Sequence, residues 1–361
     1  MIKTINGWRG VFALIIVLFH VGVMELESAT WAGVTFFFMA SGYLLTLKYP
    51  FEQLDATSYR RFAGRHALKL FPLHWLTLGL WLAAMAILGL LSVKPLALAL
   101  NATLLHSWSL MHSIYFSFNK FSWFLSTLLF CYLCYPLLAR WFRPLSMRIK
   151  LIIVGALAII DFAVLAGSGD YTRTALYVFP PVRLIDFIIG ITIADIFPRV
   201  MKSQLLGKSE TGTDAELVSL ALLSAIIWTF ITNSKVLLPW SDAILWWLPV
   251  AVILLTCHLY DKREGFIGTL LGTRLFHWIG NISFEIFMLQ GIAALIYNYW
   301  VAPVLGHFGV TSFLDMVCND LTDGKMSFNH MALFILPIDI VLAWIVNRLF
   351  TRPIARLLHL R

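Results

Sequence analysis

Apolar runs long enough to cross a membrane recur along this entire chain, and no soluble fold tolerates that pattern. A hydrocarbon core of about 30 Å takes roughly 20 mostly apolar residues per helix. Such windows fall at 7–24, 31–48, 68–91, 121–142, 149–166, 178–198, 216–233, 241–260, 275–300 and 331–351. Only 13% of the 361 residues are charged and 60% are hydrophobic, with a mean hydropathy of +0.82, whereas soluble domains run near a quarter charged. The expected fold class is all-α: a polytopic transmembrane helical bundle of about ten spans. Residues 95–110 (PLALALNATLLHSWSL) are apolar but short and interrupted by an asparagine and a histidine, so they are expected to form a re-entrant or interfacial piece.

Lysine and arginine placement orients the bundle, because cytoplasmic loops hold the excess. With the N-terminus inside, 21 of the 27 lysines and arginines fall on the inner side. That asymmetry predicts both termini in the cytoplasm; the expected localisation is the cytoplasmic membrane. The net charge of +8 is then explained by topology signals, and no nucleic-acid partner is expected. The sequence shows no glycine-lysine nucleotide loop, no zinc spacing and no heptad repeat, so no metal is expected. Cys131 and Cys134 stand at CxxC spacing, but on an apolar helix where thiols pack as small hydrophobes. The ELESATW that follows the first apolar run lacks a convincing cleavage site, which predicts an uncleaved first helix. Without a low-complexity linker, residues 1–361 read as a single transmembrane domain with no separate soluble domain.

Against this background WRGVFALIIVLFH, residues 8–20, is unusual. Arg9 and His20 flank an otherwise apolar stretch, and ionisable groups in such a setting mark functional sites by default. Eleven residues at about 100° each bring both side chains to one helix face, about 16 Å apart along the axis. They cannot touch. They either meet two parts of one elongated ligand or serve separate packing roles. The following helix carries TFFFMASGYLL, in which Ser41 and Gly42 suit a close helix contact. Next comes SYRRFAGRHALKLFPLHW, whose Arg60, Arg61, Arg65 and Lys69 either signal topology or grip phosphates. Arg65 and Lys69, four apart, share a helix face.

Arg9 and His20 at this spacing, followed by FFFMASGYLL and RHALKLFPLHW, resemble the acyltransferase 3 family of membrane-bound acyltransferases. SWFLSTLLFCYLCYPLL (122–138), PPVRLIDFIIG (180–190), WIGNISFEIFMLQ (278–290) and RPIAR (352–356) extend the likeness over most of the chain. The resemblance implies about ten helices. It also implies transfer of an acyl group, commonly acetyl from cytoplasmic acetyl-coenzyme A, to a hydroxyl of a glycan, lipid-linked sugar or small molecule. Carried over by position, the family's essential pair becomes Arg9 and His20. The expected partners are therefore a coenzyme A thioester, a hydroxyl-bearing acceptor and the lipid bilayer.

Two departures stand out. Many members carry a glutamate in the tryptophan motif, but after Trp123 this chain reads FLSTL, and ISFEIFMLQ ends in Gln290 where many members have histidine.

Thioester transfer to an alcohol needs a base for the hydroxyl proton and donors for the developing oxyanion. His20 is the expected base or acyl carrier, and Arg9 the donor-positioning residue. Donor contacts are expected from Arg60, Arg61, Arg65 and Lys69. Acceptor contacts are expected from Ser41, Trp123, Arg183, Asp186 and Glu285, although Arg183 and Asp186, three apart on one helix, equally suit a structural pair. The competing function is a transporter or flippase in which buried ionisable groups relay protons or bind a polar substrate.

Overall fold

The structure, a computed structural model, describes residues 2–49, 55–203, 212–232, 244–260, 265–322 and 330–359. Parts of the expected loops at 49–67, 199–215 and 301–330, and the start of the expected span at 241–260, lie outside the described residues. The described residues fold into helices and turns without a strand. The principal helices are α1 (Lys3–His20), α2 (Glu27–Lys48), α3 (Ala56–Ile87), α4 (Pro95–Ala102), α5 (Trp123–Leu137), α6 (Met147–Ala166), α7 (Pro180–Ser203), α8 (Thr213–Thr232), α9 (Ile244–Leu259), α10 (Arg274–Ile296) and α11 (Met331–Val346).

Among the described residues, most of each of the ten expected spans falls on a helix. Six helices among the described residues are long and apolar enough to cross a membrane, or seven if the pair bent by 49° at Phe179 counts as one span. Of the other helices, Lys3, Asn6 and Arg9 dilute the apolar character of α1, and the described part of α9 covers 16 residues, the start of that expected span lying outside the described residues. Residues 95–110 form the short α4 and a further turn at His106–Trp108.

Local chemistry sets the helix ends that position the site. After α1 the chain reverses through Gly22, whose φ of 109° suits glycine alone. Its N–H donates to Phe19 O and that of Val23 donates to Leu18 O, closing the orphan carbonyls of the last turn. Helix α3 starts at a capping box in which Asp55 accepts from the Ser58 N–H while Ser58 answers the Asp55 backbone. Those bonds from Ser58 hold the Asp55 carboxyl below its usual range.

The bundle is built around two close helix pairs. Helices α1 and α10 meet at Gly10 and Gly280, where a Cβ on Gly10 would lie 3.0 Å from the Gly280 amide nitrogen. Helices α2 and α7 meet at Gly42 and Gly190, where a Cβ on Gly190 would lie 2.8 Å from the Met39 carbonyl carbon. Among apolar helices in lipid there is little hydrophobic drive to associate, so small residues that permit backbone approach supply the packing. Of the apolar window of α2, 72% is buried, against 17% for α6 and 22% for the segment containing α11. The pairs α1–α10 and α2–α7 therefore form the centre, while α6 and α11 face outward.

Candidate active site

Helices α1, α2 and α10 of the central pairs enclose, together with α3 and α5, a cavity of about 320 Å³. Its walls follow from helical spacing. Phe37, Ser41, Leu44 and Lys48 project from one face of α2, and Phe124, Leu128 and Tyr132 from one face of α5. Helix α10 adds Ser283, Phe284 and Phe287, α3 adds His66, Lys69 and Leu70, and α1 adds Arg9. The polar groups are not scattered. Lys48, Tyr49, His66 and Lys69 gather where α2 ends, and Arg9, Ser41, Tyr132 and Ser283 line the interior.

Arg9 makes no hydrogen bond or ion pair with the described residues. Tyr132 and Glu285 are the groups that act on it electrostatically. Tyr132 is engaged with Ser41, whose hydroxyl also donates to Phe37 O at 2.7 Å. Glu285 accepts from Asn347 Nδ2 at 2.7 Å, which ties it to the segment after α11. A guanidinium facing an apolar cavity without a closed ion pair is costly unless a ligand answers it.

His20 stands outside the cavity. Its Nδ1 lies 2.8 Å from Ile16 O, and a carbonyl only accepts, so the proton of the neutral ring sits on Nδ1 and the lone pair on Nε2. The ring meets Phe121 edge-on at 4.9 Å between centroids, keeps an exposed surface, and has Lys120 and Gln290 beside it. A row of aromatics fills the interval to the cavity: Phe121 lies 6.1 Å from Phe287, Phe287 5.1 Å from Phe124, and Phe124 5.9 Å from Phe37. Arg9 and His20 thus occupy opposite sides of an aromatic partition.

The other expected site residues separate into those at the cavity and those away from it. Ser41 and Lys69 line it. Arg60, Arg61 and Arg65 are exposed on the first turns of α3 and do not line it. Trp123 packs on Phe38, Phe124 and Tyr177. Arg183 and Asp186 are completely buried and paired at 3.0 Å. Trp247 Nε1 donates to Asp186 Oδ1 at 2.5 Å, and Arg183 Nε donates to Tyr177 O at 2.7 Å, so this pair fastens α7 to α9 and to the preceding helix. Lys48, Tyr49, His66, Tyr132 and Ser283 join the cavity without having been singled out in the sequence. The i, i+4, i+8 recurrence of Phe124, Leu128 and Tyr132 and the basic residue closing α2 were the available signals. Among the described residues no three metal-ligating side chains gather.

A helical bundle with an internal cavity, cationic at one end and separated by aromatic rings from a partly exposed histidine, defines a multi-helix membrane protein with a buried polar site. The sequence matches the acyltransferase domain family, acyltransferase 3, over residues 2–348, and the chain belongs to that family of membrane acyltransferases. No curated protein and no solved structure matches it.

Proposed function

We propose that this protein is an O-acyltransferase of the cytoplasmic membrane that moves an acetyl group from cytoplasmic acetyl-coenzyme A to a hydroxyl of a glycan, lipid-linked sugar or small molecule. The observation that carries this reading is Arg9: a guanidinium without an ion pair among the described residues, facing a cavity whose mouth bears Lys48 and Lys69. The donor's phosphates suit the lysines, and its thioester-bearing arm suits the largely apolar-walled interior. The thioester carbonyl is the group left for Arg9.

Chemistry follows when the thioester passes the partition, which requires Phe124 and Phe287 to turn aside. His20 Nε2 then takes the proton of the acceptor hydroxyl as its oxygen attacks the thioester carbon. The carbon–sulfur bond breaks, the ester forms, and the imidazolium returns its proton to the departing thiolate. Direct attack by Nε2 to give an acyl-histidine, later transferred to the hydroxyl, uses the same atoms. The exposed surface of His20 gives an acceptor access without crossing the cavity.

Purified protein tests this with acetyl-coenzyme A and water as surrogate acceptor, following thiol release and, separately, coenzyme A binding by calorimetry. His20→Ala is expected to bind coenzyme A normally while losing about 100- to 10,000-fold in rate. Arg9→Ala is expected to weaken binding, with Arg9→Lys restoring it only in part. A protein that neither binds coenzyme A nor cleaves the thioester, yet carries a polar solute across vesicles, would be a transporter instead.

A further inference from the structure

Beside His20, helix α10 presents a second group that the reaction above leaves unused. Gln290 is only 2% exposed. Its Nε2 donates to Phe287 O at 2.9 Å, which a carbonyl can only accept, so the amide orientation is fixed and Oε1 is the free end. That oxygen is buried and has no hydrogen-bond partner of its own, although Gln290 stands within hydrogen-bonding reach of the His20 ring. Since Nδ1 of His20 is committed to Ile16 O, the ring atom available to Gln290 is Nε2.

We propose that Gln290 is a positioning residue that holds the His20 ring and stabilises its doubly protonated form during acyl transfer. The inference rests on the role of His20 proposed above. In the resting ring Nε2 carries a lone pair, and an amide oxygen offers it nothing. Both atoms are acceptors, so no hydrogen bond joins them in the resting ring. Once Nε2 has taken the hydroxyl proton it becomes a donor, and Oε1 gains the partner it lacks, in a charge-assisted bond. An interaction absent in the ground state and present as charge develops lowers the barrier without tightening donor binding. The surroundings keep the two groups in register. Asn119 Nδ2 donates to Met288 O at 3.0 Å, and Phe121, which carries the His20 ring edge-on, lies 3.1 Å from where a Cβ on Gly291 would stand.

Two substitutions separate the halves of the amide. Gln290→Leu removes both donor and acceptor, whereas Gln290→Glu keeps an acceptor and removes the donor to Phe287. Each is measured in the full-length protein for acetyl-coenzyme A hydrolysis, alone and combined with His20→Ala. Gln290→Leu is expected to lower kcat by about 10- to 100-fold, the usual worth of a hydrogen bond to a charged group, with KM and coenzyme A binding unchanged. Gln290→Glu is expected to keep several-fold more activity than Gln290→Leu. In the His20→Ala background Gln290→Leu is expected to change nothing further. If Gln290→Leu fails to fold, the unbranched Gln290→Met supplies the same comparison. The proposal is overturned if the apolar variant retains wild-type kcat, if Gln290→Glu is no better than it, or if its loss persists without His20. A wild-type rate in His20→Ala alone would instead overturn the underlying role of the histidine, and Gln290 with it.

Discussion

The contact between α1 and α10 aligns the whole candidate site, and Gly280→Ala tests it. A Cβ at Gly280 would stand 2.8 Å from the Asn6 carbonyl carbon and 2.7 Å from Asn6 Nδ2, with the Asn6 carbonyl oxygen nearer still. The side-chain nitrogen has room to turn, but the backbone does not. Ordinary contact begins at 3.4 Å, so the two helices must part by at least about 0.6 Å. Overpacking of this kind costs about 1–3 kcal/mol. Arg9 and His20 ride on α1, while Gln290, Phe287 and Ser283 ride on α10, so the parting displaces the two sides of the site. A misplacement of about 1 Å commonly costs 100-fold in rate, and a loss of about tenfold or more is expected here. Thermal unfolding in detergent and acetyl-coenzyme A hydrolysis are measured together, with Gly155→Ala as control because nothing lies within 4 Å of a Cβ there. Gly10→Ala, whose nearest neighbour would be 3.0 Å away, is expected to fall between the two. Gly280→Ala with the unfolding midpoint and activity of the Gly155→Ala control would refute the idea that this backbone contact sets the site.

Lys69→Ala should weaken coenzyme A binding by roughly tenfold in a salt-sensitive manner, while Arg61→Ala, exposed and away from the cavity, should leave it within twofold in the same calorimetry. Arg183→Met strands the buried Asp186 and should cost about 3–5 kcal/mol in stability; pairing it with Asp186→Leu should recover most of the unfolding midpoint. Asp55 is held below its ordinary carboxylate range by Ser58, so the stabilisation is present above the unfolded value and lost as pH falls through the folded one. Amide exchange at residues 56–60 should therefore quicken at acid pH relative to the rest of α3, and Asp55→Ala should quicken it at every pH.

Much was legible in the chain before any coordinate. The all-helical membrane class follows from apolar windows of spanning length, since lipid leaves no other partner for backbone N–H and carbonyl groups. The common face of Arg9 and His20 follows from 3.6 residues per turn. Membership of the acyltransferase 3 family was carried by residues in local order, such as RHALKLFPLHW. The pairing of Arg183 with Asp186 was one of two readings left open, and three-residue spacing on one helix permits it.

Tertiary structure decided the rest, because local periodicity fixes which way a side chain points on its own helix and nothing about what stands opposite. It sent Lys69 to the cavity and left Arg60, Arg61 and Arg65 outside, four basic residues that read alike in sequence. It gathered Lys48, His66 and Tyr132 from three helices. It inserted Phe121, Phe124 and Phe287 between Arg9 and His20, which sequence spacing alone allowed to share an open path. His74 and His106, which carry no pattern in sequence, came together with ring centroids 6.4 Å apart, and Gln290 arrived beside His20 from 270 residues away along the chain. For the pairs α1–α10 and α2–α7 the close approach of two backbones depends on glycines, and the partner of a glycine is written in no local motif.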